Sequence, residues 1–180
     1  MSAGGITARA TIMVPVFSGQ HYLSASADID GEYRYSLERR WEYGGPTALF
    51  VGLNPSTATA EIDDPTIRRE VGFAKRWGCG RMLKANIFAL RSTDPEALYS
   101  SRVPIGQRND DAILSLASEA DIVIVCWGNH GALNGRGDRV LDLLEGRGYA
   151  PMCLGRTKQN QPKHPLYIPN DSAVVPWRRS

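Results

Sequence analysis

Two unbroken apolar runs restrict the folds open to this chain more than any other feature. Residues 47–53 read Thr-Ala-Leu-Phe-Val-Gly-Leu, and residues 121–127 read Asp-Ile-Val-Ile-Val-Cys-Trp. Each has the length of a strand and neither alternates with polar residues. A strand of that kind is covered on both faces, as in a parallel sheet flanked by helices. Residues 81–87 and 149–154 supply two further strands. Helical stretches separate them. Asp64-Pro65 opens one, since Pro65 suits a first helical turn, and Ile67, Val71, Phe73 and Ala74 give it a buried face. Asp94-Pro95 starts a short helix with Asp94 as its cap. Residues 109–118 form a longer one with Ala112, Ile113, Leu116 and Ala117 inward, and residues 137–145 another. Alternating strands and helices predict an α/β fold, a three-layer α/β/α sandwich around a mainly parallel sheet.

The first 45 residues read differently. Residues 22–29 and 32–41 flank Asp30-Gly31, which predicts an antiparallel hairpin with both central residues at positive φ. Residues 36–41 could instead begin a helix. At 180 residues, one domain is expected, with this hairpin as an extension at a sheet edge and residues 171–180 as a tail.

Hydrophobic residues at 42% and charged residues at 22% are an ordinary globular mixture, which sets aside disulfide scaffolds, coiled coils and long disorder. No stretch approaches the roughly 20 apolar residues of a membrane span. The first seven residues lack the basic and apolar regions of an export signal. The expected location is cytoplasmic, without a membrane partner. Cys79, Cys126 and Cys153 stand far apart, and His21, His130 and His164 show no paired spacing. Neither a metal nor a cofactor is expected. Cys126 and Cys153 lie in apolar runs and read as small buried hydrophobes.

The net charge of +2 does not by itself announce a nucleic-acid partner. Its distribution says more: after residue 150, Arg156, Lys158, Lys163, Arg178 and Arg179 face Asp171 alone. A phosphate-facing patch near His164 is one reading. A genome that favours Arg codons is the other.

Ligands of open α/β sheets bind beyond the carboxyl ends of the strands. Polar segments occupy those ends at residues 54–57, 86–93 and 127–131, and a fourth, 164–167, follows the last strand. Four such loops converging on one rim predict a site there. The glycine-rich stretch 128–137 is not followed by Gly-Lys-Ser/Thr, so it is no P-loop, and it lacks GxGxxG. There is no GxSxG elbow, and no histidine is tied to Ser56 as a nucleophile's base.

The strand-end motifs carry a resemblance. Gly52-Leu53-Asn54-Pro55-Ser56 resembles the Gly-Ile-Asn-Pro-Gly motif of the uracil-DNA glycosylase superfamily, in its mismatch-specific uracil/thymine branch. Ala85-Asn86-Ile87-Phe88-Ala89-Leu90-Arg91-Ser92-Thr93 resembles that branch's Thr-Asn-(apolar)-x-x-Arg-x-Thr. Cys126-Trp127-Gly128 is similar to a strand ending in Trp-Gly in the uracil-specific branch, and His164-Pro165-Leu166-Tyr167 to its His-Pro-Ser loop. The four occur in the same order across residues 46–170. The chain also resembles an uncharacterised bacterial family with Gly-Leu-Asn-Pro-Ser-Thr-Ala followed by Asp-Pro-Thr, here residues 52–58 and 64–66.

The resemblance implies a glycosylase-like sandwich that binds a nucleobase in nucleic acid or a nucleotide, and hydrolyses an N-glycosidic bond. Asn54 would orient the attacking water through its amide oxygen, and His164 would donate to the departing base. Asn86 would pair with the base edge, Phe88 would stack on it, and Leu166 or Tyr167 would wedge into the vacated gap. Pro55 would fix the turn that presents Asn54. Ser56, Arg91 and Trp127 belong to the same motifs and complete the substrate-binding set. The uracil-specific branch carries Asp where Asn54 stands and His-Pro-Ser-Pro where this chain has His-Pro-Leu-Tyr, so fast uracil removal is not implied. Asp63 and Asp64 are further carboxylates near the rim, with Asp64 the catalytic outsider. Two alternatives stand beside this reading: a non-catalytic binding or interaction module on the same fold, and a transferase or hydrolase of free nucleosides or nucleotides.

Overall fold

A computed structural model describes residues 21–178. The chain runs β1 (Ser24–Asp30), β2 (Tyr33–Arg40), β3 (Thr47–Gly52), α1 (Pro65–Arg76), β4 (Arg81–Asn86), α2 (Ala97–Ser100), α3 (Asn109–Ser118), β5 (Ile122–Val125), α4 (Arg136–Glu145), β6 (Met152–Cys153) and β7 (Val175–Pro176). Short 3₁₀ segments occupy Asn129–Gly135 and Pro165–Tyr167. The seven strands form one sheet in the order β1-β2-β4-β3-β5-β6-β7. Its centre, β4-β3-β5-β6, is parallel, and the outer pairs are antiparallel.

The apolar runs are explained by what covers them. Along β3, Leu49 and Val51 join a core with Ile113 and Leu116 of α3 and Val140 and Leu144 of α4. Ala48 and Phe50 face the other way and join Ile67, Val71, Phe73 and Ala74 of α1. Successive side chains alternate between two buried faces, so both must be apolar. Helix α1 starts where expected. Asp64 is extended and its carboxylate accepts from the Ile67 amide at 2.8 Å, with Pro65 in the first turn.

Several expectations change. Asp30 still pairs with Tyr33, so the hairpin turn is Gly31-Glu32 rather than Asp30-Gly31. Only Gly31 of these has positive φ, at 57°. Residues 36–40 are strand, not helix, because β2 pairs with β4 and continues the sheet. Helix α2 begins at Ala97 with Glu96 at its cap position, while Asp94 holds the preceding turn by accepting from the Glu96 amide at 3.0 Å. Strand β6 is only two residues long. Part of the expected tail is structured: Val175–Pro176 pairs antiparallel with β6. Proline is tolerated there because this is an edge. All three cysteines are buried free thiols.

Charged residues are also buried on the α1 side. Arg39 and Asp63 pair at 2.8 Å with both side chains fully buried. Lys84 of β4 pairs with Glu70 of α1 at 2.6 Å, and the two side chains are 4% and 0% exposed. Arg34 of β2 is buried and donates to the Ala58 carbonyl at 2.8 Å. The Glu70 carboxylate keeps Lys84 protonated and pushes its pKa up. Removing one member of such a pair strands the other charge. Lys84→Met should therefore cost about 3–5 kcal/mol, and Lys84→Met/Glu70→Leu should recover most of it. Burial alone favours the neutral Glu70 carboxyl in the fold, so the single variant's deficit should shrink as pH falls. Urea melts at two pH values measure both effects. A Lys84→Met protein as stable as its parent would contradict the assignment.

Candidate functional site

The parallel strand order sets where a ligand can sit. From β3 the chain moves outward to β4, then returns past β3 to β5. The loops after β3 and β5 diverge at this reversal and leave a crevice beyond the strand ends. A cleft of about 720 Å³ lies there, lined by Asn54, Ser56, Asp64, Trp127, His164 and Tyr167 among others. Ser92 and Thr93 enter it after β4, and Thr157 and Lys163 after β6. Below it a chamber of about 40 Å³ shares Asn54, Ser56, Asp64 and His164 with the cleft, and adds Arg34, Lys84 and Asn86.

Asn54 is held in one orientation. Its amide nitrogen donates to the carbonyls of Ser92, at 2.9 Å, and Pro55, at 3.1 Å. The Ser92 amide in turn donates to the Pro55 carbonyl at 2.8 Å. Both loops therefore fix which end of the Asn54 amide is nitrogen. Its oxygen accepts no hydrogen bond from the described residues, while the side chain lines the cleft. Such a group is a preset acceptor.

His164 precedes the 3₁₀ turn Pro165–Tyr167, and its Nδ1 accepts from the Leu166 amide at 3.4 Å. Burial, with the nearby Lys84 charge, lowers its pKa to about 4, against a smaller opposing effect of Asp64. The ring is thus neutral at pH 7. With Nδ1 as acceptor, the proton sits on Nε2, leaving a neutral donor.

Asn86 is only 2% exposed. Its backbone carbonyl takes Nδ2 of Asn109 at 2.9 Å, but its side-chain amide bonds to none of the described residues and lines the chamber. Trp127 is a wall, 2% exposed, with its indole nitrogen donating to Gln161 at 3.0 Å. The glycine-rich stretch serves this ring. A Cβ on Gly131 would lie 1.9 Å from the Trp127 ring, so only glycine lets the segment pass. Tyr167 stands at the rim, 83% exposed.

Other expected site residues lie off the cleft. Phe88 is 1% exposed inside the core shared with α3 and α4, so its ring is unavailable for stacking. Pro55 is buried and contributes its carbonyl to the Asn54 clamp. Arg91 lines neither cavity; its amide donates to Glu32 and ties this loop to the hairpin turn. The basic patch is divided. Lys163 lines the cleft, but Arg156 lies over the Trp177 ring at 4.4 Å and donates to Asn160 at 2.6 Å. Arg179 falls outside the described residues.

Arg34, Lys84 and His130 were not among the expected site residues, whereas Lys163 was expected near His164 and lines the cleft with it. Lys84 carried a signal, a charge amid apolar residues of a central strand. His130 lines the cleft and its Nδ1 lies 3.0 Å from the Tyr99 hydroxyl. Among the described residues, no group of three His, Cys, Asp or Glu side chains could hold a metal ion. No described helix is long and apolar enough to cross a membrane.

The neutral ring of His164 is open to measurement. Its NMR titration midpoint should fall near pH 4, against about 6.5 for an unperturbed histidine. The unfolded chain takes that proton first as pH drops. Stability should therefore decline between about pH 6.5 and 4, and His164→Gln should flatten that slope. A midpoint near 6.5 would contradict the burial of the ring.

Compared with curated proteins and with solved structures, the chain matches none. A family model does match. It is described as a protein of unknown function, DUF1643, and it spans residues 34–166, from within β2 to the 3₁₀ turn after His164. That span takes in the first three strand-end loops, all of the fourth but Tyr167, and most of the chain, which belongs to this family.

Proposed function

We propose that the chain is a glycosylase-like protein that binds a nucleobase, in nucleic acid or a nucleotide, and hydrolyses its N-glycosidic bond. The observation that carries this reading is the Asn54 amide, its nitrogen committed to Ser92 and Pro55 and its oxygen without a partner among the described residues, beside the cleft. His164 and Asn86 support it from the same pair of cavities. The alternating helix and strand order, with α1 on one sheet face and α3 and α4 on the other, is compatible with the sandwich of the glycosylases it resembles.

Breaking an N-glycosidic bond builds positive charge on the sugar and negative charge on the departing base. The oxygen of Asn54 would hold water toward the sugar carbon. The Nε2 proton of neutral His164 would meet the anionic base oxygen, a stronger interaction in the transition state than before it. Asn86 offers both a donor and an acceptor, the pattern needed to read a base's amide edge. A volume of about 720 Å³ is ample for a nucleoside with part of its backbone.

The experiment is a panel of uracil-, hypoxanthine-, xanthine- and mismatch-containing oligonucleotides, with free nucleosides alongside, scored for binding and released base. Asn54→Ala should abolish release and spare binding, because a water held for the transition state adds little to ground-state affinity. His164→Ala should slow release about 10²–10³-fold. Asn86→Ala should weaken binding and blur base choice. Binding without release by the parent protein would favour the non-catalytic module instead. Neither binding nor release would remove the glycosylase reading.

A further inference from the structure

Asn54 is an amide and cannot accept a proton, so a hydrolase built around it lacks a base for its water. The small chamber offers one. Its volume of about 40 Å³ suits a water molecule or two, and it is lined by polar groups with unused capacity. The Asn54 oxygen has no partner among the described residues, and the 2% exposed Asn86 has none for its amide. Asp64 lines both chamber and cleft while only 7% exposed. One of its carboxylate oxygens accepts from the Ile67 amide, and the other makes no hydrogen bond among the described residues. Lys84, bonded to Glu70, also reaches the chamber.

We infer that the chamber seats the attacking water and that Asp64 is the general base that takes its proton. The assignment rests on the glycosidic reading above. A water there would accept from Lys84 and donate to Asn54 and Asp64. Its oxygen forms the new bond to the anomeric carbon as the carbon–nitrogen bond breaks. The bonding pair leaves with the base, stabilised by the His164 Nε2 proton, and the water's proton passes to Asp64.

Asp64 also caps α1, and the test must separate that role. Asp64→Asn does so, because asparagine caps a helix as well as aspartate but is not a base. Using the full chain and whichever panel oligonucleotide the parent cleaves, Asp64→Asn should lose about 10²–10⁴-fold in release rate. Its affinity should stay at the parental value. Sodium azide should restore release in this variant as the glycosyl azide, because that nucleophile has no proton to give up. Parental release by Asp64→Asn would overturn the base assignment and leave the glycosidic reading intact. A loss that azide does not restore would overturn it in favour of a purely structural role for Asp64. No release by the unmodified protein overturns both, and is seen before any substitution is made.

Discussion

Lys84 and Glu70 meet at 2.6 Å with almost no exposure to solvent, and the candidate site is arranged around that contact. Lys84 extends from β4 and Glu70 from α1, so the pair fastens the helix to the sheet near the carboxyl ends of the strands. Holding α1 there fixes Asp64 at its start, and with it one wall of the cleft. The same ammonium lies close enough to His164 to help keep that ring neutral. Burying two charges is costly unless each finds its partner. The arrangement is therefore better understood as fixing geometry than as adding stability.

Around this anchor the polar groups divide by what already occupies them. The nitrogen of Asn54 and one oxygen of Asp64 are bound to backbone, while the opposite ends of both remain unpartnered among the described residues. His164 spends one ring nitrogen on the Leu166 amide. Each side chain is thus oriented by its own loop or helix end and offers a single remaining function to the cavity. Rigid prior orientation is what makes a few neutral dipoles effective against a charge that appears only during reaction.

Much of the fold was legible in the sequence because it depends on local pattern. The runs in β3 and β5 announced strands covered twice, and Asp64-Pro65 announced α1. The convergence of four strand-end loops followed from the alternation of strand and helix alone. What was not legible depends on distant partners. Val175–Pro176 becomes a strand only because β6 offers an edge. The turn falls at Gly31-Glu32 because Asp30 stays paired with Tyr33, and the hairpin takes its extra residue, Tyr35, in β2. Phe88 shares a motif with Asn86, yet lies in the α3 and α4 core, whereas Asn86 lines the chamber. Lys84 stood out as a charge in an apolar strand, but its partner Glu70 could not be read, nor could the burial of Arg34 against the Ala58 carbonyl, because both partners lie far along the chain.

The central claim is that the cleft beyond β3 and β5 receives a nucleobase, read by Asn86 and met by His164. A second cavity of about 650 Å³ lies between the hairpin turn and residues 102–107, lined by Tyr33 and Tyr35, and provides an internal control. The most direct measurement is an NMR titration of ¹⁵N-labelled protein with the nucleosides and oligonucleotides of the panel. The side-chain amides of Asn54 and Asn86 and the ring of His164 should shift together and saturate with one affinity. Shifts confined to Tyr33, Tyr35 and their surroundings, with Asn54, Asn86 and His164 unmoved, would contradict the claim.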